Sequence, residues 1–424
     1  MLRKRERRQD VPARAAPAVS HCCHGRDDCA QAVLPSEYAR DAQVSRTNPI
    51  SSRSAQLTSK GNRMQVTLIY GGRSVEHDWS IAIYNHFAEI LNNARDPDIS
   101  PAFVYYISRT GDLLRLALEG GRLPKHPDFT ARAETHALAS LAHLLRSDGV
   151  FVFSLLQGQD GEDGQIQALA QFYDIPGSFG DKVSAMLATD KYLQGIVANR
   201  LCPELTPIPT VHVVQRNLEL GFAKALRRLA GPCVLKPNTL GGSFLTEYTD
   251  ELSEDRLRSY SERVALHDPS FLVQERIAGT EYTCGVLVDR HEVTALPVAR
   301  ISNPSGFLGY DQKTQKGYSV DFLDVEDTIQ SRLSSISKQI AREFRVHTFG
   351  RLDFIVDEQQ RIYFLELNLI PGLTAEAIFP KMLTKAGFDL CHLIRLAAAN
   401  DMAERRREEI RKIEASRIRV PWRR

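Results

Sequence analysis

Residues 349–378 read FGRLDFIVDEQQRIYFLELNLIPGLTAEAI, and two apolar runs in them, Leu352 to Val356 and Ile362 to Ile370, flank the polar tetrapeptide Glu358-Gln359-Gln360-Arg361. That pattern predicts a β-hairpin. Side chains two apart on a strand share a face, which groups Arg351 with Asp353 and Glu366 with Asn368. A turn centred between Gln359 and Gln360 sets Asp353 opposite Glu366 and Arg351 opposite Asn368. A slip by one residue sets Asp353 against a leucine and scatters the polar set into an apolar layer, which register normally avoids.

Two carboxylates opposed across a sheet repel each other. A hard divalent cation relieves that repulsion. Two carboxylates and an amide carbonyl suit Mg²⁺ held jointly with nucleotide phosphates. Arg351, on the same face, can hold a phosphate or a developing oxyanion. The competing reading is a solvent-facing hairpin with an ordinary Arg–Asp ion pair. Near-continuous apolar character in both strands marks a buried sheet and favours the metal site.

The chain has 424 residues, 43% of them apolar, enough for two or three domains. Its formal charge is +2, so nothing global points to nucleic acid or membrane. Residues 1–63 hold twelve Lys and Arg against six Asp and Glu, leaving −4 for the remainder. They are rich in Arg, Ala, Ser and Pro and lack periodicity, so a disordered basic extension is expected. The cluster His21, Cys22, Cys23, His24 and Cys29 matches no compact zinc module. Met64, just before the first strand, is an alternative start. No run of eighteen apolar residues exists to cross a membrane, and seven cysteines without a disulfide framework fit a reducing cytosol.

Gln65 to Tyr70 is an apolar run ending in Gly71-Gly72, with a helical pattern after Ser74: strand, glycine turn, helix, as in α/β ligand-binding domains. Glu76 at that helix start favourably meets the dipole. Val150 to Leu156 reads as a strand and leads into QGQDGEDG at 157–164, a loop whose three glycines let backbone approach a ligand. Asp181 to Arg200 reads as one helix bearing Thr189-Asp190-Lys191. Cys233 to Pro237 is a strand ending in Lys236 before the small-residue loop Gly241 to Ser243, which suits polyphosphate. Phe271 to Ile277 is a further strand. Residues 303–322 are polar, basic and glycine-bearing, as a closing loop requires. The tail from Glu404 is strongly charged: a solvated helix by default, nucleic-acid contact the weaker alternative.

RLD followed by ELNLIPGLT, together with GGRSVEHDWSI at 71–81 and GQDGEDG at 158–164, resembles the D-alanine:D-alanine ligase branch of the ATP-grasp ligases. The resemblance runs from Met64 to about Asn400. It implies an α/β (α+β) protein of three-domain ATP-grasp architecture with a Rossmann-like N-terminal domain. The expected divisions are 64–180, 181–270 and 271–403, with 1–63 and 404–424 outside them.

By the same resemblance, Glu76 takes the ammonium of the first amino acid, and Lys191, Lys236 and Ser243 take the phosphates of ATP. Gln274 with backbone groups of Glu275 and Ile277 takes adenine, and Glu281 takes ribose. Lys313 or Lys316, with Lys316 preferred, reaches the γ-phosphate. Asp353, Glu366 and Asn368 hold Mg²⁺ (or Mn²⁺), while Arg351 and the Gly372 N–H face the oxyanion. The sequence departs from the family at Gln157 (usually His), Gly242 (usually Ser), Gln274 (usually Glu), Ala377 (usually Ser) and Ile378 (usually Leu). The implied activity is ATP-dependent ligation of two amino acids through an acyl phosphate, of the peptidoglycan-precursor type. A ligase for other amino acids in secondary metabolism and a catalytically weak ATP-binding sensor are the alternatives. Small amino acids are the implied partners, neither nucleic acid nor membrane is, and a homodimer is left open.

Overall fold

The computed structural model describes residues 63–94, 98–302, 318–322 and 325–417, all within the compact unit Gln56–Arg424. The cysteine and histidine cluster of the leader, Lys313 and Lys316, and the last residues of the tail lie outside the described residues.

The first part comprises β1 (Met64–Gly71), α1 (His77–Ala94), β2 (Ile99–Ile107), β3 (Leu113–Ala117), α2 (His126–Thr130), β4 (Glu134–His136), α3 (Leu141–Asp148), β5 (Phe151–Ser154) and α4 (Gln165–Tyr173). Its sheet runs β4-β3-β2-β1-β5, parallel where β1 meets β2 and β5 and antiparallel toward β4. Val66 to Gly71 are buried, as expected of a parallel strand covered on both faces.

The expected helix from Asp181 to Arg200 is two helices, α5 (Lys182–Thr189) and α6 (Lys191–Leu201). The sequence carries an N-cap at each start. Asp181 accepts from the Val183 and Ser184 N–H groups, and Asp190, extended at ψ 99°, accepts from Leu193 N–H. The break makes Lys191 the first residue of a helix. Its backbone N–H then bonds the Asn238 carbonyl at 3.0 Å.

Next come β6 (Thr210–Val214), α7 (Leu218–Arg228), β7 (Cys233–Pro237), β8 (Glu247–Thr249), α8 (Glu254–Val264) and β9 (Ser270–Glu275), in an antiparallel sheet ordered β6-β9-β7-β8. The expected division after residue 270 falls at the start of β9, which pairs with β6 and β7. Alternation along β7 sends Cys233 and Leu235 into a core with Phe222, Tyr260 and Phe271, and turns Val234 and Lys236 to the other face.

The remaining elements are β10 (Thr280–Asp289), β11 (Glu292–Ala295), β12 (Ala299–Ser302), β13 (Ser319–Asp321), α9 (Asp327–Glu343), β14 (Phe349–Val356), β15 (Ile362–Asn368), α10 (Ile378–Lys385) and α11 (Leu390–Arg417). The sheet runs β13-β12-β10-β14-β15, with β11 on β10. Phe349 packs between Phe153 of the first sheet and Phe379 of α10, so the first and last sheets share one core while the middle sheet has its own. α11 is continuous through residue 404, and its buried portion ends near Asn400. No described helix is long and apolar enough to cross a membrane.

Candidate active site

The expected hairpin forms between β14 and β15, but its turn does not fall where the pairing at the polar residues would place it. Val356 pairs with Ile362, Ile355 with Tyr363 and Phe354 with Phe364, which centres the loop on Gln359, a residue whose successor Gln360 has φ +60°. Continued unbroken, that register would set Asp353 against Leu365. A β-bulge at Leu365 absorbs the difference, and beyond it Asp353 faces Glu366 and Arg351 faces Asn368. The bulge also turns Leu365 beside Glu366 onto the wall of the adjoining cleft.

That cleft, about 560 Å³, lies between the open face of the middle sheet and the last sheet. The middle sheet contributes Val234, Lys236 and Gln274, and the last contributes Glu281, Ile301, Asp353, Ile355, Leu365 and Glu366. Lys191, Ser243, Glu275 and Ile277 line it too. Every described residue expected to meet ATP is thus brought to one cavity. Its polar end holds the lysines and carboxylates, and Ile208, Val234, Ile277 and Ile355 supply the apolar surface a flat ring requires.

At the polar end the charges are already paired. Arg351, largely buried, donates Nε and Nη2 to Asp353 at 3.0 and 2.8 Å. Thr283, opposite on β10, donates to the same carboxylate at 2.6 Å. Burial acts to lower the Arg351 pKa, but the charge and hydrogen bonds of Asp353, with Glu366 and Glu281, raise it above its ordinary value. Lys191 Nζ lies 3.7 Å from Glu366 and donates to the Leu240 carbonyl at 2.7 Å. The Asn368 amide nitrogen stands 3.5 Å from Asp353 and 3.4 Å from Glu366.

Two carboxylates linked by one amide fit a hard divalent ion. Turning the Asn368 amide over offers its oxygen to the same point. Among the described residues no group of three or more His, Cys, Asp or Glu is placed to hold a metal ion, so the amide of Asn368 is what completes this set.

Other expectations meet the structure less directly. Of the backbone groups expected at adenine, the Glu275 N–H is already given to the Pro209 carbonyl. Gln274 donates its amide to Thr210 Oγ1 at 2.9 Å, which orients its oxygen. Glu76 lies outside that cleft, in an adjoining crevice with Gly158, Glu162, Thr189, Lys191, Gly241, Glu366 and Asn368. A Cβ on Gly158 or Gly241 would stand 2.5 or 2.4 Å from the Glu76 carboxylate, so a side chain at either would push that carboxylate aside. Gly372 lies four residues past Asn368, against Ala377.

Two residues at the site carried no expectation. Arg300 lines the cleft and pairs with Asp321 at 3.7 Å; its one visible signal is a cation inside the apolar run VARI. Glu162, in the GEDG text, lines the crevice beside Glu76.

The D-ala D-ala ligase N-terminus profile matches residues 65–178, and the D-ala D-ala ligase C-terminus profile matches residues 209–396. A D-alanine–D-alanine ligase of Desulforudis audaxviator is 32% identical over 269 residues, covering 61% of this chain and 84% of that one. The chain belongs to the D-alanine–D-alanine ligase family. Another D-alanine–D-alanine ligase, from Coprothermobacter proteolyticus, is 31% identical over 248 residues, 56% of this chain and 77% of that one.

Two solved structures show the same fold. The VanG D-Ala:D-Ser ligase from Enterococcus faecalis superposes with TM-score 0.66 at 22% identity, covering 80% of this chain and all of that one. The D-alanine–D-alanine ligase from Bacillus anthracis complexed with ATP superposes with TM-score 0.60 at 19% identity, covering 81% and 99%. The stretches that place this chain among the D-alanine–D-alanine ligases include both walls of the cleft and the crevice around Glu76.

Proposed function

We propose that this chain joins two amino acids at the expense of ATP, with D-alanine as the first-choice substrate for both positions. The observation that carries the proposal is the face-to-face pair Asp353 and Glu366, bridged by Asn368, at the end of a cleft that also holds Lys191 and Lys236. A protein that only bound nucleotide would have no need of two opposed carboxylates beside two lysines.

The cleft accepts ATP with the base toward Gln274 and Ile277, the ribose toward Glu281, and the phosphates toward Lys191, Lys236 and Ser243. Asp353, Glu366 and Asn368 would hold Mg²⁺ or Mn²⁺, which would neutralise phosphate charge. Glu76 takes the ammonium of the first amino acid in the adjoining crevice. That substrate's carboxylate attacks the γ-phosphorus, the bond to the β-phosphate oxygen breaks, and ADP leaves with an acyl phosphate formed. The second amino acid, as free amine, adds to the acyl carbon, and phosphate departs. Arg351 has donors beyond the two spent on Asp353, and these with the Gly372 N–H stabilise the oxygen that becomes negative as the amine adds.

A different second amino acid is the other reading, and Ala377 favours it. It caps α10 with no side-chain hydrogen bond, where a serine would offer a hydroxyl to the incoming carboxylate. ADP and phosphate release measured across pairs of D- and L-amino acids, with and without Mg²⁺, tests both readings. Turnover with D-alanine alone supports the first, turnover needing another partner supports the second, and metal-independent or absent turnover sinks the ligase assignment.

A further inference from the structure

Glu162 is tied on three sides. Its carboxylate accepts the Gly158 N–H at 2.6 Å and the Ile370 N–H at 3.2 Å, and its own carbonyl accepts from Thr189 Oγ1 at 2.8 Å. Gly158 is the residue against which the Glu76 carboxylate rests. Ile370 opens the loop that reaches Gly372, and Thr189 stands two residues before Lys191. We infer that Glu162 is a positioning residue for the ligation: a strut that sets the spacing between the ammonium anchor at Glu76 and the oxyanion donor at Gly372. The inference rests on the ligase reading above.

The surroundings of this side chain are mixed, part apolar and part polar. Behind it lies a cavity of about 40 Å³ lined by Ser154, Gln167 and Ser178, in which Ser154 Oγ and Gln167 Oε1 have no protein partner. Phe179, Phe349 and Leu369 also wall that space, which is large enough for water beside the two polar atoms. Within that surround the two N–H bonds direct its carboxyl oxygens.

Keeping it there is costly. Burial and the neighbouring Glu76 charge push its carboxyl up to about 8, against the N–H bonds and Lys191. A carboxyl group retained at such a position points to a task beyond stability.

A strut of fixed length matches one substrate length. On this inference the strut suits a first substrate whose ammonium and carboxyl are separated by one carbon, and a β-amino acid adds one methylene between them. Loosening the strut should then slow the normal reaction and weaken that discrimination.

The test compares full-length wild type, Glu162→Gln and Glu162→Asp by ADP release with D-alanine or β-alanine as first substrate. The Gln variant sets an N–H donor against a backbone donor, and the Asp variant is too short to span both. In each, the D-alanine kcat should fall about tenfold or more, the scale of one lost hydrogen bond, with KM for ATP within about twofold. The D-alanine to β-alanine rate ratio should narrow. Unchanged kcat, or both substrates slowed in equal proportion, overturns the strut, and the Asp variant decides the matter should the Gln variant not fold. Wild-type silence toward every amino acid would instead sink the ligase reading itself.

Discussion

Asp353 faces Glu366 across β14 and β15 because Leu365 is bulged out between Phe364 and Glu366. The five-residue loop Asp357–Arg361 on its own would give a register one residue off. The bulge restores the carboxylate pair and lends the cleft an apolar side chain at the same stroke.

The two carboxylates differ in what their loss should do. Glu366 is 22% exposed, so Glu366→Gln removes the repulsion with Asp353, and Lys191, 12% exposed, keeps its bond to the Leu240 carbonyl. It should lower kcat for ADP release by about 100-fold or more while the thermal midpoint holds. Asp353→Ala also strands Arg351, which should cost on the order of 3–5 kcal/mol in urea unfolding. Normal turnover in either variant would refute the site.

Lys191 and Lys236 stand at the polar end of the cleft. Replacing either by Met should raise KM for ATP by roughly 10- to 100-fold, the scale of one charge-assisted hydrogen bond, at little cost to kcat once ATP saturates. Initial rates against ATP concentration give the answer.

Gly158 has φ +68°, and a methyl there meets the Glu76 carboxylate. Gly158→Ala should raise KM for the first amino acid about tenfold or more through strain and displacement of Glu76, leaving KM for ATP near wild type. A rise in the ATP constant alone would place Glu76 in the wrong role.

Glu162 makes stability depend on pH. Its folded-state pKa, about 8, lies above the ordinary 4.5, so the folded chain binds more protons than the unfolded chain between those values. Stability should therefore fall as pH rises from 4.5 toward 8 and level off above, and Glu162→Gln should flatten that slope. Urea midpoints at pH 5, 6.5 and 8 measure it.

The features legible from the chain text were local ones. The apolar runs of β14 and β15, the alternation in CVLKP and the aspartates ahead of α5 and α6 each act within a few residues, where strand period and capping decide the outcome. The aspartates were in plain view, yet the break at Asp190 was not expected. A cap inside a helical pattern competes with continuation, and the bond from Lys191 N–H to Asn238, 47 residues away, tips that balance.

Alone, the sequence determined which residues could bear the chemistry: two carboxylates and an amide at strand spacing, a lysine before a small-residue loop, and a glutamate at a helix start. Tertiary structure decided their arrangement. It turned Arg351 onto Asp353, inserted the bulge that aligns Glu366, and tied Glu162 to Ile370 across 208 residues. Strand period and helix caps are set by neighbouring residues. A contact between distant segments exists only once two separate hydrophobic faces have found each other, and no spacing in the text records that event.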